Sequence, residues 1–198
     1  MKKYSWIMAL LIALSLAFVG CGGGEADPLP PPPLYDANVL QITAIATWGP
    51  GLDLLADEFA FKAGDVIEIK GVALTETQIL FNNNAFDYQP VGDWDPLLTA
   101  GEEFEEELTL VAADVNFSNP KYDAPEALRF KVNKPGMVII ESLIVKRGKK
   151  VLFDLADTIA DWDLGEVDED GIAEIDGIQA AGSVPAQVAF EILGPGAE

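Results

Sequence analysis

The run "FNNNAFDYQPVGDWDP", residues 81 to 96, gathers the residue types that sugar recognition needs. A flat aromatic ring covers the apolar C–H face of a pyranose, while amides and carboxylates bond its hydroxyls. Trp94 and Tyr88 supply rings; Asn82, Asn84, Gln89 and Asp93 supply polar groups in a stretch polar enough to lie at a surface. The same residues also fit a turn-rich loop in which Trp94 tucks into the fold and the asparagines serve turn geometry. Trp48, in "TWGPG", is either a second platform or a core or edge residue.

A second stretch, "DWDLGEVDEDGIAEIDG", carries carboxylates at metal-binding spacing. Glu166, Asp168, Asp170, Gly171 and Glu174 occupy positions 1, 3, 5, 6 and 9 of an EF-hand-like calcium loop, with glycine at the sharp bend. Position 12 is Gly177, and Asp176 stands one residue early, so closure would need a shortened loop similar to those of dockerins or thrombospondins. Ca2+ is therefore the one cofactor to expect, and a solvated acidic loop is the alternative. The chain has no histidine, which excludes a Ser-His-Asp triad, a Cys-His pair and a histidine metal site. Nothing marks two of its many carboxylates as a glycoside-hydrolysing pair. The expectation is a protein that is not an enzyme.

The single cysteine follows an export-like N-terminus. Lys2 and Lys3 precede an apolar run from Ile7 to Val19, broken only by Ser15. That run is too short to span a membrane, which takes about 20 apolar residues, and it has the order of a signal peptide. Phe18-Val19-Gly20-Cys21 resembles a bacterial lipobox. The resemblance implies a signal peptide over residues 1–20, cleavage before Cys21, and lipid on that cysteine as a membrane anchor, which several acyl chains make stable. With one cysteine no disulfide framework exists. Residues 21–34 then read as a Gly/Pro-rich tether: three glycines, then Pro28 and the Pro30–Pro33 run. Gly22 after the cysteine, by resemblance to Gram-negative lipoproteins, favours the outer membrane or cell surface over the inner membrane within a bacterial cell envelope. The chain holds 12 Lys+Arg and 33 Asp+Glu; without Lys2 and Lys3 the balance is 10 against 33, a net charge of −23. That excludes nucleic acid as a partner, because phosphates need Lys and Arg.

From residue 35 to 198 the chain has the length of one domain. Its hydrophobic period is two: Phe59 and Phe61, then Val66, Ile67 and Ile69 in "ADEFAFKAGDVIEIKGVAL", with Gly64-Asp65 as a turn. "TQILFNN", "EEFEEELTLVAADV", the three strands of "EALRFKVNKPGMVIIESLIVKRGKKVLFDL" and a closing "QVAFEIL" bring the count to about eight to nine. Asn133-Lys134-Pro135-Gly136 reads as a turn of type II, with Pro135 at its second position and Gly136 at its third. Helix is expected only near Leu155 to Ala160 and near Gly51 to Asp57, with an acidic segment over 154–177. This is an all-β sandwich or barrel. Eight of the ten basic residues beyond the leader fall between Lys121 and Lys150, and twelve acidic residues follow Lys150 with no further Lys or Arg.

Three segments carry a family resemblance. Ala63-Gly64-Asp65-Val66-Ile67-Glu68-Ile69, Leu128-Arg129-Phe130 and Met137 to Val145 resemble, in that order over roughly residues 57–155, the strands of jelly-roll carbohydrate-binding modules of xylanases and glucanases, families four, nine and twenty-two. The resemblance implies a galactose-binding-like jelly-roll β-sandwich with little helix. It also implies non-catalytic polysaccharide binding, for which Trp94, Tyr88, Asn82, Asn84 and Asp93 of the 81–96 run are the expected contacts. The position of a family aspartate that often ligates structural calcium is Glu141 here. The alternative function is a scaffolding lipoprotein whose sandwich binds an envelope protein and no small ligand.

Overall fold

The structure is a computed structural model. It describes residues 35, 37–45, 51–85, 89–122, 125–159, 161, 162, 164, 172–181 and 188–194, all within the unit Leu34–Glu198. Among them are twelve strands: β1 Val39–Ala44, β2 Gly51–Leu55, β3 Val66–Ala73, β4 Thr77–Asn83, β5 Leu97–Leu98, β6 Glu103–Thr109, β7 Ala127–Val132, β8 Gly136–Arg147, β9 Lys150–Asp154, β10 Ala173–Ile175, β11 Ile178–Ala181 and β12 Val188–Leu193. Two short helices, α1 Ala56–Phe59 and α2 Leu155–Ile159, complete the elements used here.

The strands form two six-stranded antiparallel sheets. Sheet A runs β12-β1-β8-β3-β6, with β9 also on β8; sheet B runs β10-β11-β2-β7-β4-β5. Within these orders lie 1-8-3-6 and 2-7-4-5, the eight-stranded order of a jelly roll. The four later strands extend it: β9 continues the β8 hairpin, β12 flanks β1, and the β10–β11 hairpin flanks β2. The chain is thus an all-β jelly-roll sandwich with little helix, and its strands outnumber the eight or nine visible as alternating runs.

Alternation places the core. On β3, Ile67, Ile69 and Ala73 are buried, and on β6 Phe104 and Leu108. From sheet B they meet Leu52, Leu54, Ile79, Phe81, Leu128, Phe130, Val132, Ile178 and Ala180 in one cluster. The expected helix near 51–57 is corrected by the structure: Gly51–Leu55 is a strand, and only Ala56 onward is helical. All five residues of β2 are buried. Its alternation is confined to Leu52, Asp53 and Leu54, too few residues to mark a period of two.

The chain crosses between sheets twice at one corner, from β3 to β4 and from β7 to β8. Thr77 Oγ1 donates to the Lys134 carbonyl at 2.8 Å, and the Met137 amide to Thr75 Oγ1 at 2.8 Å. The Asn133 amide donates to the Gln78 carbonyl at 2.7 Å. Gly136 is not in the left-handed region, so the expected type II turn, which would place it at positive φ, does not form. Glycine is needed there for closeness instead. A Cβ on Gly136 would stand 2.5 Å from Thr77 Cβ and 2.9 Å from the Glu76 carbonyl oxygen. At the opposite end of β3, Asp65 is 1% exposed. It accepts Arg147 Nε and Nη2, each at 2.8 Å, and the Lys62 amide at 2.8 Å. The Arg147 hydrogen bonds hold the Asp65 carboxyl below its usual range, against the opposing effect of burial.

Gly136→Ala is expected to cost about 1–3 kcal/mol, the usual penalty of forcing a methyl into a filled site. Urea unfolding at constant m-value measures it; an unchanged midpoint would mean the corner relaxes freely.

Candidate functional site

The core-facing residues of sheet B alternate with residues that point away from the core. On the outward face lie Asp53 of β2, Arg129 and Lys131 of β7, Leu80 and Asn82 of β4, and Gln179 of β11. The pairing register aligns four of them across four strands: Gln179 opposite Asp53, Asp53 opposite Arg129, Arg129 opposite Asn82. The row continues to Glu174 on one side and bridges to Pro90 on the other.

Asp53 is fully buried. Both its oxygens accept from Arg129, one from Nε and one from Nη2, the bidentate geometry that makes an arginine–carboxylate pair strong. Gly51 makes this reach available. A Cβ there would stand 2.6 Å from Arg129 Cγ and 2.8 Å from Cδ. The flanking amides are only half used. Asn82 Nδ2 donates to the Asn83 carbonyl at 3.1 Å, and Gln179 Nε2 donates to Glu174 Oε2 at 2.7 Å. Asn82 Oδ1, Gln179 Oε1 and Asn84 Nδ2 are buried with no partner among the described residues. Buried polar atoms are nearly always satisfied by protein or water, and these three are the unsatisfied ones on this face among the described residues.

Lys131 stands one row along, opposite Gly51 and Leu80. It is half-buried. Burial pushes its pKa down to about 8, Arg129 beside it acts in the same direction, and Asp53 acts in the other.

The expected site residues divide. Asn82 and Asn84 belong to this outward face, 1% and 8% exposed. Asn83, between them, fixes the adjoining turns: its Nδ2 donates to the Asp114 and Asn116 carbonyls at 3.0 and 3.2 Å, and its Oδ1 accepts the Ala85 amide. Trp94 does not join the two amides. Its ring packs against the core, 6.4 Å from Phe81 and 6.3 Å from Phe104 between centroids, and Phe81 points inward where Asn82 points outward. Asp93 is exposed, at φ 57°. Tyr88 and Trp48 lie outside the described residues, as do Cys21, Glu166, Asp168 and Asp170. Glu174 and Asp176 lie on the β10–β11 hairpin. Asp176 and Gly177, with φ of 45° and 79°, make its two-residue turn, the type I′ geometry that favours Asp-Gly. Among the described residues no group of three or more metal-ligating side chains is assembled.

Asp53, Arg129, Lys131 and Gln179 were not singled out by sequence reasoning. Their signal is present but faint: an aspartate inside the apolar "GLDLL", and two cations alternating with apolar residues in "ALRFKV".

A depression of about 420 Å³ lies over sheet A and is lined by Glu68, Ile69, Lys70, Glu105, Glu106, Glu107 and Ser142. Lys70 pairs with Glu141 at 3.2 Å and Lys146 with Glu68 at 2.6 Å. Its lining has an excess of glutamate and no aromatic ring.

No protein-family model, curated protein or solved structure matches the chain.

Arg129→Met is expected to destabilise the fold by about 3–5 kcal/mol, because it strands a buried carboxylate; adding Asp53→Leu should recover most of that loss. Chemical denaturation of the single and double variants checks it, and equal stabilities would refute the pairing argument. Trp94→Ala is expected to cost about 2–4 kcal/mol through lost packing; a thermal melt that does not move would return the indole to the list of free ligand platforms.

Proposed function

We propose that the chain is a lipid-anchored protein of a bacterial cell envelope whose jelly-roll domain binds polysaccharide without catalysis. The observation that carries this reading is the row Asn82–Arg129–Asp53–Gln179 with Asn84 beside it, whose amides leave Asn82 Oδ1, Gln179 Oε1 and Asn84 Nδ2 without partners among the described residues. Sugar hydroxyls both donate and accept, and side-chain amides answer both needs. Asp53 is locked by Arg129, so it serves as a positioning charge and not as an acid or base. The anchor is Cys21, on the lipobox likeness of residues 18–21, and the Pro-rich stretch after it is a spacer.

A second reading draws on the glutamate-lined depression of sheet A, whose charge suits a basic face of an envelope protein. That is the scaffolding alternative.

One experiment separates them. The full chain, solubilised in detergent, is passed over insoluble xylan and β-glucan in calcium and in chelator, and Asn82→Leu is run alongside. Retention of the native chain that falls at least tenfold in the variant supports polysaccharide binding at sheet B. No retention on any polymer in either condition rejects it and leaves the sheet A reading. For the anchor, Cys21→Ser should abolish labelling by radioactive palmitate and release the protein from the membrane fraction; labelling that persists would remove Cys21 from the argument.

A further inference from the structure

We propose that Asn116 is a glycosylation acceptor, whose side-chain amide a transferase outside the cytoplasm joins to an oligosaccharide. The inference rests on the envelope reading above, because such transfer takes place on exported chains, and it is independent of what sheet B binds.

The sequence supplies the signal. Asn116-Phe117-Ser118 has the order asparagine, any residue but proline, then serine or threonine, which marks a surface loop of an exported protein for this modification. Of the seven asparagines in the chain, Asn116 alone has serine or threonine two residues on. The more selective bacterial transferases also read an acidic residue two positions before the asparagine, and Asp114 stands there.

The fold decides whether a glycan can stay. The segment lies in the connection between β6 and β7, and a bulky hydrophilic group there has to project into solvent. Phe117 packs against the core cluster, while Asn116 and Ser118 on either side of it are exposed. Asn82, Asn83 and Asn84 are buried and could not carry a sugar without opening the fold. Asn83 Nδ2 holds the backbone beneath the acceptor through the Asp114 and Asn116 carbonyls, at 3.0 and 3.2 Å. Asn116 Oδ1 accepts the Ser118 amide at 3.1 Å, an Asx-turn. That bond occupies the oxygen end of the side-chain amide. Nδ2, the atom to be joined, is left with no partner among the described residues. Asp114 is 8% exposed, and its Oδ2 accepts the Val111 amide at 2.7 Å. A transferase therefore reads Asp114 on the emerging chain, before this turn closes. The exposure of Asn116 then lets the domain fold with the glycan in place.

The donor this chemistry needs is an oligosaccharide on a polyprenyl pyrophosphate. The bond between the sugar C1 and the pyrophosphate oxygen breaks, and a bond from C1 to Nδ2 forms. Nδ2 gives up one proton to a basic group of the transferase, and the lipid pyrophosphate leaves. Nothing is oxidised or reduced.

The test is mass spectrometry of the full chain, extracted in detergent from membranes of the cells in which it naturally occurs, with fragmentation of the peptide that contains Asn116. The expected result is an added mass of whole sugar residues located on Asn116. Asn116→Gln and Ser118→Ala should each lose that mass completely, and Ser118→Thr should keep it. Both positions are exposed, where substitutions have little effect on stability, so the thermal midpoints of the three variants check that the domain still folds. Should Asn116→Gln fail to fold, the contrast between Ser118→Ala and Ser118→Thr decides. A bare Asn116 in chain recovered from the envelope overturns the inference and leaves the envelope reading standing. A bare Asn116 in chain found only in the cytoplasm ends both. Sugar that persists in Ser118→Ala, or that sits on another residue and not on Asn116, also overturns the assignment.

Discussion

The paired crossings at the Thr77–Gly136 corner are the constraint on which the rest of the sandwich depends. There the chain leaves sheet A for sheet B after β3 and returns from B to A before β8. Because the two crossings touch, β3 must pair with β8 in one sheet while β4 pairs with β7 in the other. Both pairings are antiparallel, and both centre the jelly roll. The contact tolerates no Cβ at 136, and hydrogen bonds from Thr77, Met137, Asn133 and Leu74 tie its two segments together. The register of β4 against β7 follows from it, and that register sets Asn82 opposite Arg129.

A charged row inside a sheet is an expensive way to build one. Burying Asp53 and most of Arg129 takes two ions from water, and their attraction offsets that cost only in good geometry. The bidentate pairing supplies the geometry, and Gly51 supplies the room. Apolar residues at both positions would hold the sheet as well or better, so stability alone does not account for the pair.

The far edge of sheet A shows the opposite use of charge. Strand β6 ends that sheet, and an edge strand invites pairing with other chains. Glu103, Glu105 and Glu107 lie along its outward face. Glu106 takes a place on the inward side between Phe104 and Leu108, opposite Ile69 in the register, and stays exposed. An inward charge on an edge strand is a recognised barrier to edge-to-edge association. The acidic balance thus guards the free edge of sheet A.

Much of the fold was legible in the chain because period-two alternation and turn chemistry are local. Ile67 and Ile69, the "ALRFKV" run and the closing "VAFEIL" declare strands by themselves, and Leu155–Ile159 is helical where expected. The Asp176-Gly177 turn is equally local, yet carboxylate spacing drew attention to metal binding before the dipeptide was read as a hairpin. Strand β2 was hidden because it is short and alternates only over Leu52, Asp53 and Leu54. For the site, local sequence pointed to Asn82 and Asn84 but grouped them with Trp94, its near neighbour in sequence, which the fold turns to the other side of the sheet. Asp53, Arg129 and Gln179 are separated along the chain and share no local pattern. Only strand order and register bring them into one row, and these arise from pairings between distant segments. The sequence determined which residues make strands and turns; the tertiary structure decided which of their polar side chains meet, because cross-strand neighbours are set by long-range packing and not by spacing along the chain.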